Sequence, residues 1–149
     1  MPHLSPILRR EAKNLQSGRG FFVLRGLQVD NYSIQDNIII YAGVSSYIGS
    51  IRGRQDNKII DGVKQSQMLN HIKDLSQTDV AGNIGAPAYT RDKQVFHTDA
   101  GDIVSLFSLN VAAEGGESKI SSSWRVFNEL SKTRPDIINT LAQDWTFDG

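Results

Sequence analysis

The stretch 96-FHTDAGDIVSLFSLNVAAEGGESKISSSWRVFNELSKTRPDI-137 decides how this chain is read. Its apolar and β-branched runs predict strands over Gln94 to Phe96 and Ile103 to Val111, on either side of the turn His97-Thr98-Asp99-Ala100-Gly101. Glu114-Gly115-Gly116-Glu117 signals a second turn, and Lys119 to Ser121 a further strand. A helix near Trp124 to Ser131 follows, with Ser122 or Ser123 as its cap. Thr133-Arg134-Pro135-Asp136 then resembles a capping box with Pro in the first turn, opening a helix that carries Ile137, Ile138 and Leu141. Within this frame His97 and Asp99 stand two residues apart at a strand end. They share a face, where an imidazole and a carboxylate can grip one cation and fill two of the three positions of a facial triad. The alternative is a turn in which Asp99 accepts backbone N–H bonds and His97 is semi-buried.

Upstream, Ser5-Pro6 supplies a cap and a favoured first residue for a short helix, whose stripe Ile7, Leu8, Ala12 and Leu15 ends at Gly18. Phe21 to Leu24 reads as a buried strand between glycines. Ser33-Ile34-Gln35-Asp36 is an acidic capping box, and Ile34, Ile38, Tyr41, Val44 or Ser45, and Ile48 recur at helical spacing, so a longer helix is expected up to Gly49. Gly49 to Gly62 and Ser76 to Thr90 read as loops, with a short strand over Gln67 to Ile72. Helices come early and short strands late without regular alternation, which favours α+β over a doubly wound sheet. Trp145 and Phe147 close the chain, an odd place for aromatics that usually bury about 150–250 Å² each. Residues 1–149 are therefore expected to be a single, incomplete domain.

Composition narrows the function. Sixteen Lys and Arg balance sixteen Asp and Glu, and the basic residues are scattered, so no field draws in nucleic acid. The absence of Cys removes disulfides, thiolate zinc sites, iron–sulfur clusters and cysteine nucleophiles. The longest apolar stretch, Ile38 to Val44, falls far short of the roughly 20 residues of a membrane span. MPHLSPILRREAK becomes charged before any signal-peptide core develops, so a cytoplasmic protein is expected. Gly18-x-Gly20 precedes its strand instead of following it, unlike a dinucleotide-binding turn. Ser121-Ser122-Ser123 lacks the Gly-x-Ser-x-Gly elbow of a serine hydrolase. Asn31-Tyr32-Ser33, formally a glycosylation sequon, reads as a turn entering the second helix.

The quoted stretch resembles the taurine dioxygenase-like (TauD/TfdA) family of Fe(II)- and 2-oxoglutarate-dependent oxygenases, its fungal-type members in particular. The likeness lies in the His-x-Asp turn, the Gly-Gly-x-Ser/Thr turn, the Ser-Ser cap and the Asn-Glu-Leu helix before Arg-Pro-Asp. GRGFFVLRGLQVDNYS, HIKDLS and IGAPAYT extend it over nearly the whole chain. The resemblance implies a double-stranded β-helix, or jelly roll, of the clavaminate synthase-like type, preceded by helices. It also implies that His97 and Asp99 bind Fe(II), with 2-oxoglutarate and O2 as co-substrates and a small molecule as substrate. Ser118 matches the position whose hydroxyl helps hold the far carboxylate of 2-oxoglutarate, the alternative being an ordinary turn residue. His71 lies where the family draws substrate contacts from loops, the alternative being a surface histidine. No side chain is assigned catalysis of its own.

One departure stands out. The histidines are His3, His71 and His97, so the family's distal histidine is absent, and Arg125 and Arg134 fall in the wrong element to be its 2-oxoglutarate-anchoring arginine. The expectation is an N-terminal part of a longer dioxygenase, truncated before the distal strands and inactive alone. The alternative is an inactive binding or decoy module that forms a homo-oligomer through exposed sheet edges.

Overall fold

A computed structural model of the chain describes residues 3–54, 59–60, 63–64, 67–78, 84 and 87–146. Among them are α1 (Leu4–Ser17), α2 (Ile34–Ser46), α3 (Ser123–Thr133) and α4 (Pro135–Leu141), with single 3-10 turns at Val29–Asn31 and Pro87–Tyr89. Two short strands, β1 (Ile59–Ile60) and β2 (Val63–Lys64), pair antiparallel with Ile59 opposite Lys64 and Ile60 opposite Val63.

Each helix begins where local chemistry permits. α1 starts one residue before the expected cap, so Ser5 and Pro6 lie inside its first turn, where a missing N–H costs no intrahelical bond. It ends against Gly18, whose N–H reaches Asn14 O at 3.0 Å. A Cβ on Gly18 would stand 2.9 Å from that same oxygen, which is why the chain closes on glycine there. α2 is capped by Ser33, whose oxygen accepts from the Asp36 N–H while its hydroxyl donates to Asp36 Oδ2 at 2.7 Å. The α-helix stops at Ser46, and Gly49 N–H closes a final turn on Ser45 O at 3.0 Å. α3 is capped by Ser122. The expected capping box at Thr133 does not form, because Thr133 is the last residue of α3 and its hydroxyl donates back to Glu129 O at 2.8 Å. α4 instead opens on Pro135, and the Arg134 guanidinium grips Asp136 at 2.7 and 2.9 Å, holding that carboxyl below its ordinary range.

The expected strands are corrected. Phe21 to Leu24, Gln67 to Ile72, Gln94 to Phe96, Ile103 to Val111 and Lys119 to Ser121 are irregular, although their composition suits strands. A strand satisfies its N–H and C=O groups only against a neighbour, and these runs have no ladder partner among the described residues. The Phe21 to Leu24 run is not buried either, with Val23 69% exposed. The jelly roll the resemblance implies is not formed among the described residues, whose one strand pairing is that of β1 with β2. β1 lies in the stretch Gly49 to Gly62 expected to be loop, and β2 lies just beyond it.

The chain divides into two compact units, Met1–Ala12 with Gly26–Phe107, and Lys13–Arg25 with Ser108–Gly149. In the first, Leu8 is fully buried and Asn37 nearly so. The Asn37 amide donates to Val29 O at 2.9 Å, which ties the start of α2 to the turn before it. In the second, α3 packs on α4, and Trp124 meets Phe127 edge-on with centroids 6.2 Å apart. Trp145 is 56% exposed, and Phe147 lies outside the described residues. Among the described residues no helix is long and apolar enough to cross a membrane.

Candidate metal centre

The pair singled out by spacing is assembled by local backbone. His97 and Asp99 lie on an irregular segment, with Gly101 at φ 100°, a left-handed conformation that suits glycine, turning the chain just beyond them. His97 Nδ1 is 2.7 Å from Val95 O, and a carbonyl only accepts, so Nδ1 carries a proton and Nε2 is the ring nitrogen left to face a cation. Nε2 stands 3.6 Å from Asp99 Oδ1, wider than a hydrogen bond. Both side chains are about half exposed, at 53% and 57%. Two donors on adjacent octahedral corners at about 2.1 Å from a cation stand about 3 Å apart, so this pair fits two neighbouring positions with a small adjustment. No group of three or more His, Cys, Asp or Glu able to hold a metal occurs among the described residues.

His71 is exposed, three residues before Asp74, and is not gathered with His97 and Asp99 into any such group. Ser118 is exposed in the second unit, two residues beyond Gly115-Gly116, whose φ angles of 71° and 78° follow a bend at Ala113 and Glu114 where a turn was expected. A Cβ on Gly116 would meet the Ala112 methyl at 3.2 Å, so the turn is tight on one side.

Two features of the unit that carries the pair escaped the sequence reading. The Asp74 carboxylate accepts from the Ser76 N–H at 2.9 Å, from the Ser76 hydroxyl, and from Arg91 Nε at 2.8 Å. These bonds hold Asp74 down at about 2, the Ser76 hydroxyl contributing most and Arg91 next. Beside them Leu75 N–H donates to Tyr89 O at 2.8 Å, clasping two loops together. In the same unit, the Tyr41 hydroxyl on α2 donates to Ser105 O at 2.6 Å, and its ring stacks on Phe107 with centroids 5.2 Å apart. Tyr41 was legible as an apolar-face position of a helix. Nothing in the spacing announced the remote carbonyl its hydroxyl would find.

The profile of the family described as taurine catabolism dioxygenase TauD, TfdA family matches residues 1–148. A taurine hydroxylase-like protein of Stachybotrys chartarum is 35% identical over 153 aligned residues, which cover 99% of this chain and 38% of that protein. FR-33289 synthase of Streptomyces rubellomurinus is 21% identical over 136 residues, covering 91% of this chain and 38% of that enzyme. The chain thus spans less than two-fifths of the length of the curated relatives it matches. No solved structure matches it. With the family profile matching from end to end and a fungal relative aligned over nearly every residue, the chain belongs to the TauD/TfdA family of dioxygenases.

Proposed function

We propose that these 149 residues are the N-terminal portion of a non-haem Fe(II)- and 2-oxoglutarate-dependent dioxygenase that oxidises a small organic substrate, with His97 and Asp99 holding the iron. The observation that carries the reading is the His97–Asp99 geometry, in which one nitrogen is committed to Val95 O and the other faces a carboxylate oxygen beyond hydrogen-bond reach. Iron bound there would support oxidative decarboxylation of 2-oxoglutarate by O2, and with it oxidation of the substrate.

The chain's own part is positional. Val95 O fixes the tautomer that leaves Nε2 as a donor, and Asp99 supplies the anionic oxygen beside it. Ser118 would donate its hydroxyl to the far carboxylate of 2-oxoglutarate, and His71 would reach the substrate from the loop ahead of the metal turn. A third ligand and an arginine anchor would come from a downstream region. Relatives of which this chain spans 38% have the length to carry both. The 149 residues alone would be inactive, holding two donors where a triad needs three.

Succinate release tests this without knowledge of the substrate. In a version extended through the downstream region, iron-dependent succinate formation is expected, falling to background in His97→Ala and Asp99→Ala. An extended protein that makes no succinate with a range of candidate substrates, or an Asp99→Ala variant that keeps its rate, would replace the dioxygenase reading with that of a binding module.

A further inference from the structure

Among the described residues, the hydrogen bonds of residues 92–104 reach no further than two positions along the chain: Asp92 to Thr90, Gln94 to Asp92 and His97 to Val95. Remote hydrogen bonds begin on either side of that segment, and nearly symmetrically. Six residues before His97, Arg91 is held by Asp74 at 2.8 Å, next to the Leu75–Tyr89 backbone bond. Six residues after Asp99, Ser105 O accepts from Tyr41 at 2.6 Å, and Ser105 Oγ lies 3.4 Å from Ser45 Oγ, one turn along α2. Phe107 adds its stack on the Tyr41 ring, the planes 11° from parallel. All of these residues belong to one compact unit.

We propose that Tyr41 and Asp74 are positioning residues for the His97–Asp99 donor pair, pinning from both sides the segment that carries it. The proposal rests on the iron-binding reading of that pair. Pinning both ends of a segment removes most of its configurations beforehand, so a cation meets two donors already near each other. Asp74 is suited to the task because its carboxylate is held by Ser76 as well as by Arg91. It also stays ionised far below neutral pH. An exposed ion pair adds little to stability, so the effect of this one belongs in placement and not in melting.

The experiment titrates the 149-residue chain with Co(II), followed by its d–d absorption, below any concentration at which light scattering reports self-association. Tyr41→Phe deletes the hydroxyl and keeps the ring stack. Asp74→Asn keeps the shape and deletes the charge. Each is expected to weaken Co(II) binding roughly three- to tenfold, with the melting midpoint moved by less than about 4 °C. Arg91→Ala should match Asp74→Asn, while Arg91→Lys should retain most of the affinity. Unchanged affinity in Tyr41→Phe and Asp74→Asn overturns the positioning role and leaves the metal reading standing. A loss of affinity that tracks an equal loss of thermal stability also overturns it, as a structural effect. Wild-type binding no better than that of His97→Ala overturns the metal reading, and the positioning role with it.

Discussion

His97 Nε2 faces Asp99 Oδ1 across 3.6 Å, too far to hydrogen-bond and near enough to share a cation. Metal binding by these 149 residues should nonetheless be weak, since a closed site needs at least three protein ligands and each one lost removes a large share of the binding free energy. Calorimetry with Fe(II) should give a shallow isotherm that His97→Ala flattens. A tight, stoichiometric isotherm would contradict this, and would point to His71 as a substitute ligand.

Asp74 gives a pH prediction with a definite sign. Its carboxyl lies at about 2 in the folded chain against an ordinary value of 3.8. Whatever the Asp74–Arg91 clasp contributes is therefore fully present above about pH 4 and is lost as pH falls through about 2. A carboxyl 13C titration should place the Asp74 midpoint well below the ordinary aspartate value of 3.8. The stability difference between wild type and Asp74→Asn in urea, already small at neutral pH for so exposed a pair, should vanish at the acid end of that range. A midpoint in the ordinary aspartate range would mean the clasp is not formed in solution.

The two serine caps should matter separately. Ser33 and Ser122 each accept a backbone N–H three residues on, from Asp36 at 3.1 Å and Arg125 at 3.3 Å. Replacing either by Ala should cost about 1 kcal/mol, and by Gly only a few tenths. Urea titration followed by far-UV circular dichroism reads both. Equal losses for Ala and Gly would locate the serine's role elsewhere.

Those caps also show why the helices were legible and the strands were not. Ser33, Ser122 and Pro135 act on groups within one turn of themselves, so a few residues of sequence contain the whole interaction. Ile103 to Val111 reads equally well as a strand, but pairing depends on backbone elsewhere, and its sequence says nothing of where that backbone lies. The His97–Asp99 pair was picked out by its spacing, but the segment that carries it is irregular, so strand alternation is not what brings the two side chains within 3.6 Å. Asp74–Arg91 and Tyr41–Ser105 were not, being contacts across 17 and 64 residues that only the folded chain brings together.

Unpaired apolar runs carry a consequence for the isolated chain. Val95, Phe96, Leu106 and Val111 are all more than 70% exposed, and each sits in a segment whose composition suits a strand. Such segments can find pairing partners in another copy. The 149-residue chain should bind a hydrophobic dye and self-associate as its concentration rises, by light scattering. Val111→Lys and Leu106→Lys should reduce both signals. A monodisperse chain at high concentration with no dye binding would show these residues to be covered.

Ser118 offers the sharpest division between a cofactor contact and a turn residue. It follows Gly115 and Gly116, both in left-handed backbone, and its own side chain is exposed. If its hydroxyl donates to a carboxylate of 2-oxoglutarate, one charge-assisted hydrogen bond of about 1.5–3 kcal/mol is at stake. In a version extended through the downstream region, Ser118→Ala should then raise the KM for 2-oxoglutarate about tenfold or more while kcat changes little, because that carboxylate is remote from the bond that breaks. Ser118→Thr, which keeps the hydroxyl, should restore most of the affinity. A turn residue behaves differently, with KM unchanged in both variants and any effect confined to stability. Gly116→Ala separates the two further. It disturbs the turn, through a positive φ and the methyl of Ala112 at 3.2 Å, without touching the hydroxyl. If Ser118→Ala affects only the melt, as Gly116→Ala would in a purely structural turn, the serine belongs to the turn and not to the co-substrate.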